Sequence, residues 1–355
     1  MPCASHLFVR GRFEAARRLP RLPRQAAEHG LHGHGFEALV RVPLAAGMAP
    51  PADALQQLRQ RLALALQPLQ YRDLNQLLEH PDDEALARWL ALRLQPSAGG
   101  LRMQLHSTPE RGVAGDPAQA LDSLRRYRFL AAHFLPSVPA GHKCGRLHGH
   151  AFEVELRAGQ AAYPELDACW QALAGQLEHS LLNDIEGLHN PTSEMLAAWI
   201  WQRARPRLPG LRSVSVLETG SSGARFDGSA FVIWKEFSLD SALQVQRAVP
   251  GSAQARLHGQ TFRLRLRLSA PLHEVLGWVV DFGDVKTLFR PLFERLDHQP
   301  LHEIEGLPDT DTPTLAAWVF ERCRPQLPQL CGVDLAEADG CGAAARAPAP
   351  PPAHR

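Results

Sequence analysis

The triplet Leu-His-Gly occurs three times, at 31–33, 147–149 and 257–259, and its histidines are spaced by 116 and then 110 residues. Each copy follows a segment ending in a hydrophobic-Pro pair: AARRLP to Pro20, AAHFLP to Pro136 and VQRAVP to Pro250. Each precedes a helical segment closing on LNQLLEH, LNDIEGLHN or LHEIEGLPD, and then a second helix, DEALARWLALRL, SEMLAAWIWQRA or TLAAWVFERC. The tryptophans of that helix, Trp89, Trp199 and Trp318, lie 57, 51 and 60 residues beyond the triplet's histidine. Self-similarity at a fixed period decides architecture before any local reading does. The chain is therefore read as a tandem triplication, with units over 1–117, 118–239 and 240–343. The Pro/Ala-rich tail, 344–355, is expected to be disordered.

Within each unit the order reads strand, strand, helix, helix, then one or two more strands. In the middle unit AFEVELR (151–157) alternates as a half-buried strand does. LDACWQALAGQLEHSLL carries apolar residues at helical spacing, among them Leu166, Cys169, Leu173 and Leu177. Thr192 or Ser193 can cap the second helix, and Leu196, Trp199 and Ile200 form its buried stripe. SVSVLE (213–218) and SAFVIW (229–234) are expected as the closing strands. A small α+β unit of this kind leaves two sheet edges open, which is a liability. Three copies on one chain answer it by ring closure, three sheets joining into one antiparallel β-barrel with the helices outside.

The stretch CGRLHGH, Cys144 to His150, carries the chemistry. Strand residues two apart point the same way, so His148 and His150 share a face with Gly149 between them. Two neighbouring imidazoles suit zinc, and His133 in the strand expected to pair with theirs supplies a third. Any one of these histidines is as well explained by a structural or solvated role. Cys144 stands between Lys143 and Arg146, two cations that favour a thiolate, although a lone cysteine is more often a small buried hydrophobe.

Composition excludes rather than identifies. The 355 residues suggest two or three domains, and 45% apolar with 21% charged content is that of a soluble globular protein. A net charge of +1 gives no electrostatic footprint for nucleic acid. Six cysteines without a CxxC pair point to a reducing compartment. No apolar run has the length of a signal peptide or a membrane span, so no membrane partner and a cytoplasmic location are expected.

The middle unit resembles the 6-pyruvoyl-tetrahydropterin synthase superfamily, above all its queuosine-pathway branch, the 6-carboxytetrahydropterin synthases. The resemblance rests on FLAAHFLP, CGRLHGHAFEVEL, LEHSLLNDIEGLHNPTSEMLAAWIW and SVSVLET, nearly the whole unit. It implies the tunnelling fold, in which three subunits make a twelve-stranded barrel and two barrels stack. This chain would then be one covalent pseudo-trimeric barrel, forming a homodimer of stacked barrels. The resemblance makes His133, His148 and His150 zinc ligands, Cys144 the catalytic thiol and Glu218 the carboxylate anchoring the pterin. It also calls for an Asp-His pair, donated by a neighbouring subunit from an LDHxxLN motif. The middle unit has Glu178-His179 there and the first has Gln70-Tyr71. The third keeps Asp297-His298, and it alone keeps GWVVDFGDVK (277–286).

Aligned on their Pro pairs, the outer units show Arg17 and Arg247 at the position of His133, and arginine cannot ligate zinc. Glu28 and Gln254 stand for Cys144, and Gln260 stands for His150 in the third unit. Ser107 or Thr108 falls at Glu218 in the first unit and Glu337 in the third. The middle unit is thus expected to own the metal, thiol and anchor, and the third to lend Asp297-His298 across a shared seam. The implied activity is zinc-dependent conversion of 7,8-dihydroneopterin triphosphate to 6-carboxytetrahydropterin, acetaldehyde and triphosphate in queuosine (7-deazaguanine) biosynthesis. The alternatives are a 6-pyruvoyl-tetrahydropterin-forming lyase and a non-catalytic zinc- or pterin-binding scaffold.

Overall fold

The computed structural model describes residues 5–45, 50–94, 100–159 and 161–347. The first unit consists of β1 (His6–Arg17), β2 (His32–Pro43), α1 (Ala54–Leu66), β3 (Arg72–Asp73), α2 (Asp83–Leu94), β4 (Arg102–Thr108) and β5 (Arg111–Gly115). The middle unit repeats this order as β6 (Leu121–His133), β7 (His148–Gly159), α3 (Tyr163–Leu177), β8 (Ser180–Leu181), α4 (Ser193–Ala204), β9 (Leu211–Thr219) and β10 (Ser222–Phe226). The third runs β11 (Phe231–Leu243), β12 (His258–Leu268), α5 (Phe282–Leu296), α6 (Thr312–Cys323), β13 (Leu330–Ala336) and β14 (Gly342–Arg346).

The two-residue strands β3 and β8 lie off the ring as parallel bridges to β1 and β6. The other twelve strands close into one antiparallel barrel. Within units the ladders follow chain order, and β5–β6, β10–β11 and β14–β1 join the units. No sheet edge is left over among these twelve, so the chain solves by covalent closure the edge problem each unit would have alone.

Alternation sets the layers. On β7, Phe152, Val154, Leu156 and Ala158 are buried against α3 and α4, meeting Leu166, Trp170, Leu173, Leu196 and Ile200. The residues between them face the barrel interior, where Arg126 pairs with Glu155 at 2.9 Å and Arg157 with Asp122 at 2.7 Å. Thr192 is the N-cap of α4, its hydroxyl accepting from the Met195 amide at 3.2 Å, as such a residue does at a helix start.

Three expectations need correction. SAFVIW does not close the middle unit: the closing hairpin is β9–β10, and Phe231 already begins β11. Because β11 runs unbroken to Leu243, the boundary expected after 239 falls inside a strand. The tail expected from 344 starts later, since Ala344–Arg346 pair in β14 with β13; residues 348–355 lie outside the described residues.

Candidate metal and substrate site

His133 ends β6 and His148 begins β7, directly opposite each other in the ladder; His150 follows on the same face, opposite Ala131. One potential ligand nitrogen from each of the three lies within 4.8 Å of the others. The Nδ1 of His133 lies 3.0 Å from the Pro191 carbonyl and that of His148 lies 2.7 Å from the Arg146 carbonyl. Each Nδ1–H therefore donates to a backbone oxygen, which fixes the tautomer and leaves Nε2 as a lone pair, as metal-bound histidines require. The Nε2 of His133, on a side chain 2% exposed, has no hydrogen-bond partner. An orphaned buried acceptor is costly unless something fills it. Burial holds His133 and His150 below the ordinary histidine pKa, so both stay neutral as ligands must. Residues, tautomers and orphan together fit a zinc ion.

Glu218, at the end of β9, bears electrostatically on His133, His150 and Cys144. Cys144 sits in a one-turn 3-10 segment whose backbone is tied to β6 by the Leu135 amide, 2.8 Å from the Cys144 carbonyl. Its thiol is pushed up from its ordinary pKa by burial first; Lys143 opposes the rise, and Asp281 and Glu218 add to it. The thiolate expected from two flanking cations is therefore corrected: burial, more than any neighbouring charge, favours the thiol.

The third unit does meet the middle one at this site, through the start of its GWVVDFGDVK stretch rather than through Asp297-His298. Leu276–Asp281, ahead of α5, lie across the N-terminus of α4. The Leu276 carbonyl accepts from Asn190 at 2.8 Å and the Gly277 carbonyl from Thr192 at 2.7 Å. The Val279 amide donates to Glu194 at 2.9 Å. Gly277 has φ +66°, and a Cβ there would sit 3.1 Å from Met195, so glycine is required on both counts. Asp281 reaches His142 at 3.5 Å. Glu194 is fully buried, and burial raises its pKa to about 8. Both NPTSE and GWVVDFGDVK stand out in sequence; that they meet across 85 residues does not.

Asp297 and His298 lie elsewhere. They follow the C-terminus of α5, whose 15 residues span about 22 Å, while the N-terminus of that helix faces the middle unit. The His298 amide donates to Asp240 on its own unit's β11, and its side chain is 77% exposed. Tyr71 and His179 hold the equivalent places on Glu14 and Leu130, and all three have φ between 52° and 56°. The imidazole that shares a surface pocket with His150 is His179, 3.2 Å from Glu178.

The other two units fill the same position without metal-ligating sets. Arg17 stands opposite His32, as His133 does opposite His148. Its guanidinium, 1% exposed, pairs with Asp83 at 2.8 Å, and Tyr163 of the middle unit donates to Asp83 at 2.7 Å. In the third unit the residue opposite His258 is Leu243, not Arg247. The Val245–Gln254 backbone bond matches Leu135–Cys144, so the two loops have equal length and the Pro pairs were misleading anchors. Arg247 instead pairs with Asp309 and Asp311. Glu337 does correspond to Glu218, since Ala336 and Leu217 pair with equivalent residues of β12 and β7, but Arg59 of the first unit occupies it at 2.7 Å. Ser107 is the first unit's counterpart and donates to Asp83.

The profile of the family described as 6-pyruvoyl tetrahydropterin synthase matches residues 124–229 and again 232–348. The 6-carboxy-5,6,7,8-tetrahydropterin synthase of Synechocystis is 38% identical over 117 residues, 29% of this chain and 89% of that protein. The dihydroneopterin monophosphate aldolase of Pyrococcus furiosus is 35% identical over 72 residues, 20% of this chain and 60% of that protein. Among solved structures, the 6-pyruvoyl tetrahydropterin synthase of Caenorhabditis elegans aligns at 16% identity with a TM-score of 0.30, covering 33% of this chain and 95% of that one.

Proposed function

The chain belongs to the 6-pyruvoyl tetrahydropterin synthase family, and we propose that it is a zinc-dependent 6-carboxytetrahydropterin synthase of the queuosine route with one working site per chain. The observation that carries this reading is the three-histidine cluster, which among the described residues forms in the middle unit alone. That cluster lies within 124–229, the first of the two segments that match the family.

His133, His148 and His150 would hold the zinc. Bound there, the ion would supply Lewis-acid polarisation of the hydroxyls on the dihydropterin side chain. Glu218 accepts the ring N–H and exocyclic amine of the pterin through its two oxygens, a planar bidentate match. Cys144 first loses its thiol proton to solvent, and the resulting thiolate takes the carbon-bound proton of the side chain. Asp297 orients His298, whose Nδ1 it holds at 2.9 Å, and that hydrogen bond raises the histidine's pKa so that it can deliver a proton near neutrality. Because α5 holds the pair away from the middle unit, His298 is supplied by a second copy stacked on the exposed end of the barrel. The leucines of the three Leu-His-Gly triplets, Leu31, Leu147 and Leu257, are 59–67% exposed and are available to cover that end.

Incubation with 7,8-dihydroneopterin triphosphate and analysis of the products tests the reading. Acetaldehyde with 6-carboxytetrahydropterin is expected. Formation of 6-pyruvoyltetrahydropterin without acetaldehyde would reassign the reaction, and no turnover despite bound zinc would leave a binding scaffold.

A further inference from the structure

Of the 38 basic residues in this chain only three are lysines, Lys143, Lys235 and Lys286. They are far apart in sequence, yet the fold brings all three to the seam between the middle and third units. Lys143 adjoins Cys144. Lys235, on β11, donates to the Ser221 hydroxyl at 3.0 Å, in the hairpin turn that follows Glu218 and Thr219. Lys286 lies in α5, near the Asp281 end that meets His142.

The repeats show where Lys286 points. Counting back from the equivalent Tyr71 and His298, its counterpart in the first unit is Arg59, which crosses the next seam to Glu337, the counterpart of Glu218. The counterpart of Lys286 in the middle unit is Asp167, which pairs with Arg125, the counterpart of Lys235, so this helix position lies beside the strand residue as well as facing the seam. At the counterparts of Lys143 the other units have Ala27 and Ala253, and at those of Lys235 they have Val9 and Arg125. None of the three lysines forms an ion pair among the described residues. Of the nearby carboxylates, Asp281 is committed to the α5 cap and His142, and Glu218 to the reading above. Lys235 accordingly has a lowered pKa, from burial first and then from Lys143 and Lys286.

We propose that Lys143, Lys235 and Lys286 form a cradle for a linear polyphosphate, the triphosphate arm of the substrate, beside the metal cluster. This rests on the reading above for the identity of the substrate, not for the binding of the anion. Lysine suits the task in a chain that otherwise uses arginine. Its compact charge on a flexible stem can follow a polyphosphate that must leave, whereas the planar guanidinium fork would clamp one phosphate bidentately.

Calorimetric titration of the zinc-loaded full chain with inorganic triphosphate tests this. Lys235→Met and Lys286→Met should each weaken binding roughly tenfold, as loss of a charge-assisted bond does. Zinc content and binding of unphosphorylated neopterin should not change, and Lys235→Arg should restore most of the affinity. Wild-type-like triphosphate binding in the Lys235→Met/Lys286→Met double variant, or no binding by the unmodified chain, overturns the cradle. Lysine-dependent binding without turnover would count against the proposed reaction and leave the cradle standing. Turnover with an unchanged KM in the double variant would do the reverse.

Discussion

His133 stands directly opposite His148 across the β6–β7 ladder, with ring centroids 4.5 Å apart. Arg17 and His32 hold the same relation in the first unit, where His34 completes the second half of an HGH pair. The Nε2 atoms of His32 and His34 are buried without hydrogen-bond partners. What separates this position from a metal site is one guanidinium and the carboxylate that neutralises it. Replacing both with the middle unit's residues, Arg17→His with Asp83→Ser, should create a second three-histidine cluster. Elemental analysis should then find about one more zinc per chain than in the unmodified protein.

The Arg17–Asp83 pair is a structural substitute for the metal, buried at 1% and 4% exposure. Asp83→Ala would strand a buried cation and should cost about 3–5 kcal/mol in denaturant unfolding. Zinc content should stay unchanged, since the metal cluster lies in another unit.

Glu194 clasps the third unit to the middle one through the Val279 amide. Its folded pKa of about 8 lies above the unfolded value, so the folded state holds a proton that the unfolded chain releases. Its contribution to stability is full below the ordinary glutamate pKa and is lost as pH rises towards 8. Glutamine keeps the accepting carbonyl and does not titrate. Calorimetric melting temperatures should therefore favour Glu194→Gln over the parent increasingly from pH 5 to pH 8.

His298 and Cys144 belong to different units, and α5 puts about 22 Å between His298 and the Asp281 end that meets His142. If the relay comes from a stacked partner, Cys144→Ala and His298→Ala are each inactive alone but complement when mixed. A mixed two-fold dimer has one site with both groups, so random re-pairing should restore about a quarter of wild-type activity. No recovery would place the relay within the chain and turn attention to Glu178-His179.

The triplication, the barrel and the three histidines were legible in sequence because each is local or periodic. The HGH face follows from strand pleat, and its partner strand follows from hairpin proximity. Leu243 was misread as Arg247 because a proline pair was used to align loops whose length is set by the Val245–Gln254 and Leu135–Cys144 backbone bonds. The Glu194–Val279 clasp and the approach of Asp281 to His142 come from across a seam, where neither spacing nor period carries information. The Asp-His pair was placed beside the metal because its unit does touch that site. The length of α5 shows that the unit touches it with the opposite end of the helix.

Metal content of the purified, zinc-saturated chain tests the central claim most directly. With one three-histidine cluster in the middle unit and Arg17 and Leu243 at the equivalent places, elemental analysis should give one zinc per chain, falling to none in His148→Ala. Two or three equivalents, or one equivalent that survives His148→Ala, would contradict the assignment of the working site to the middle unit.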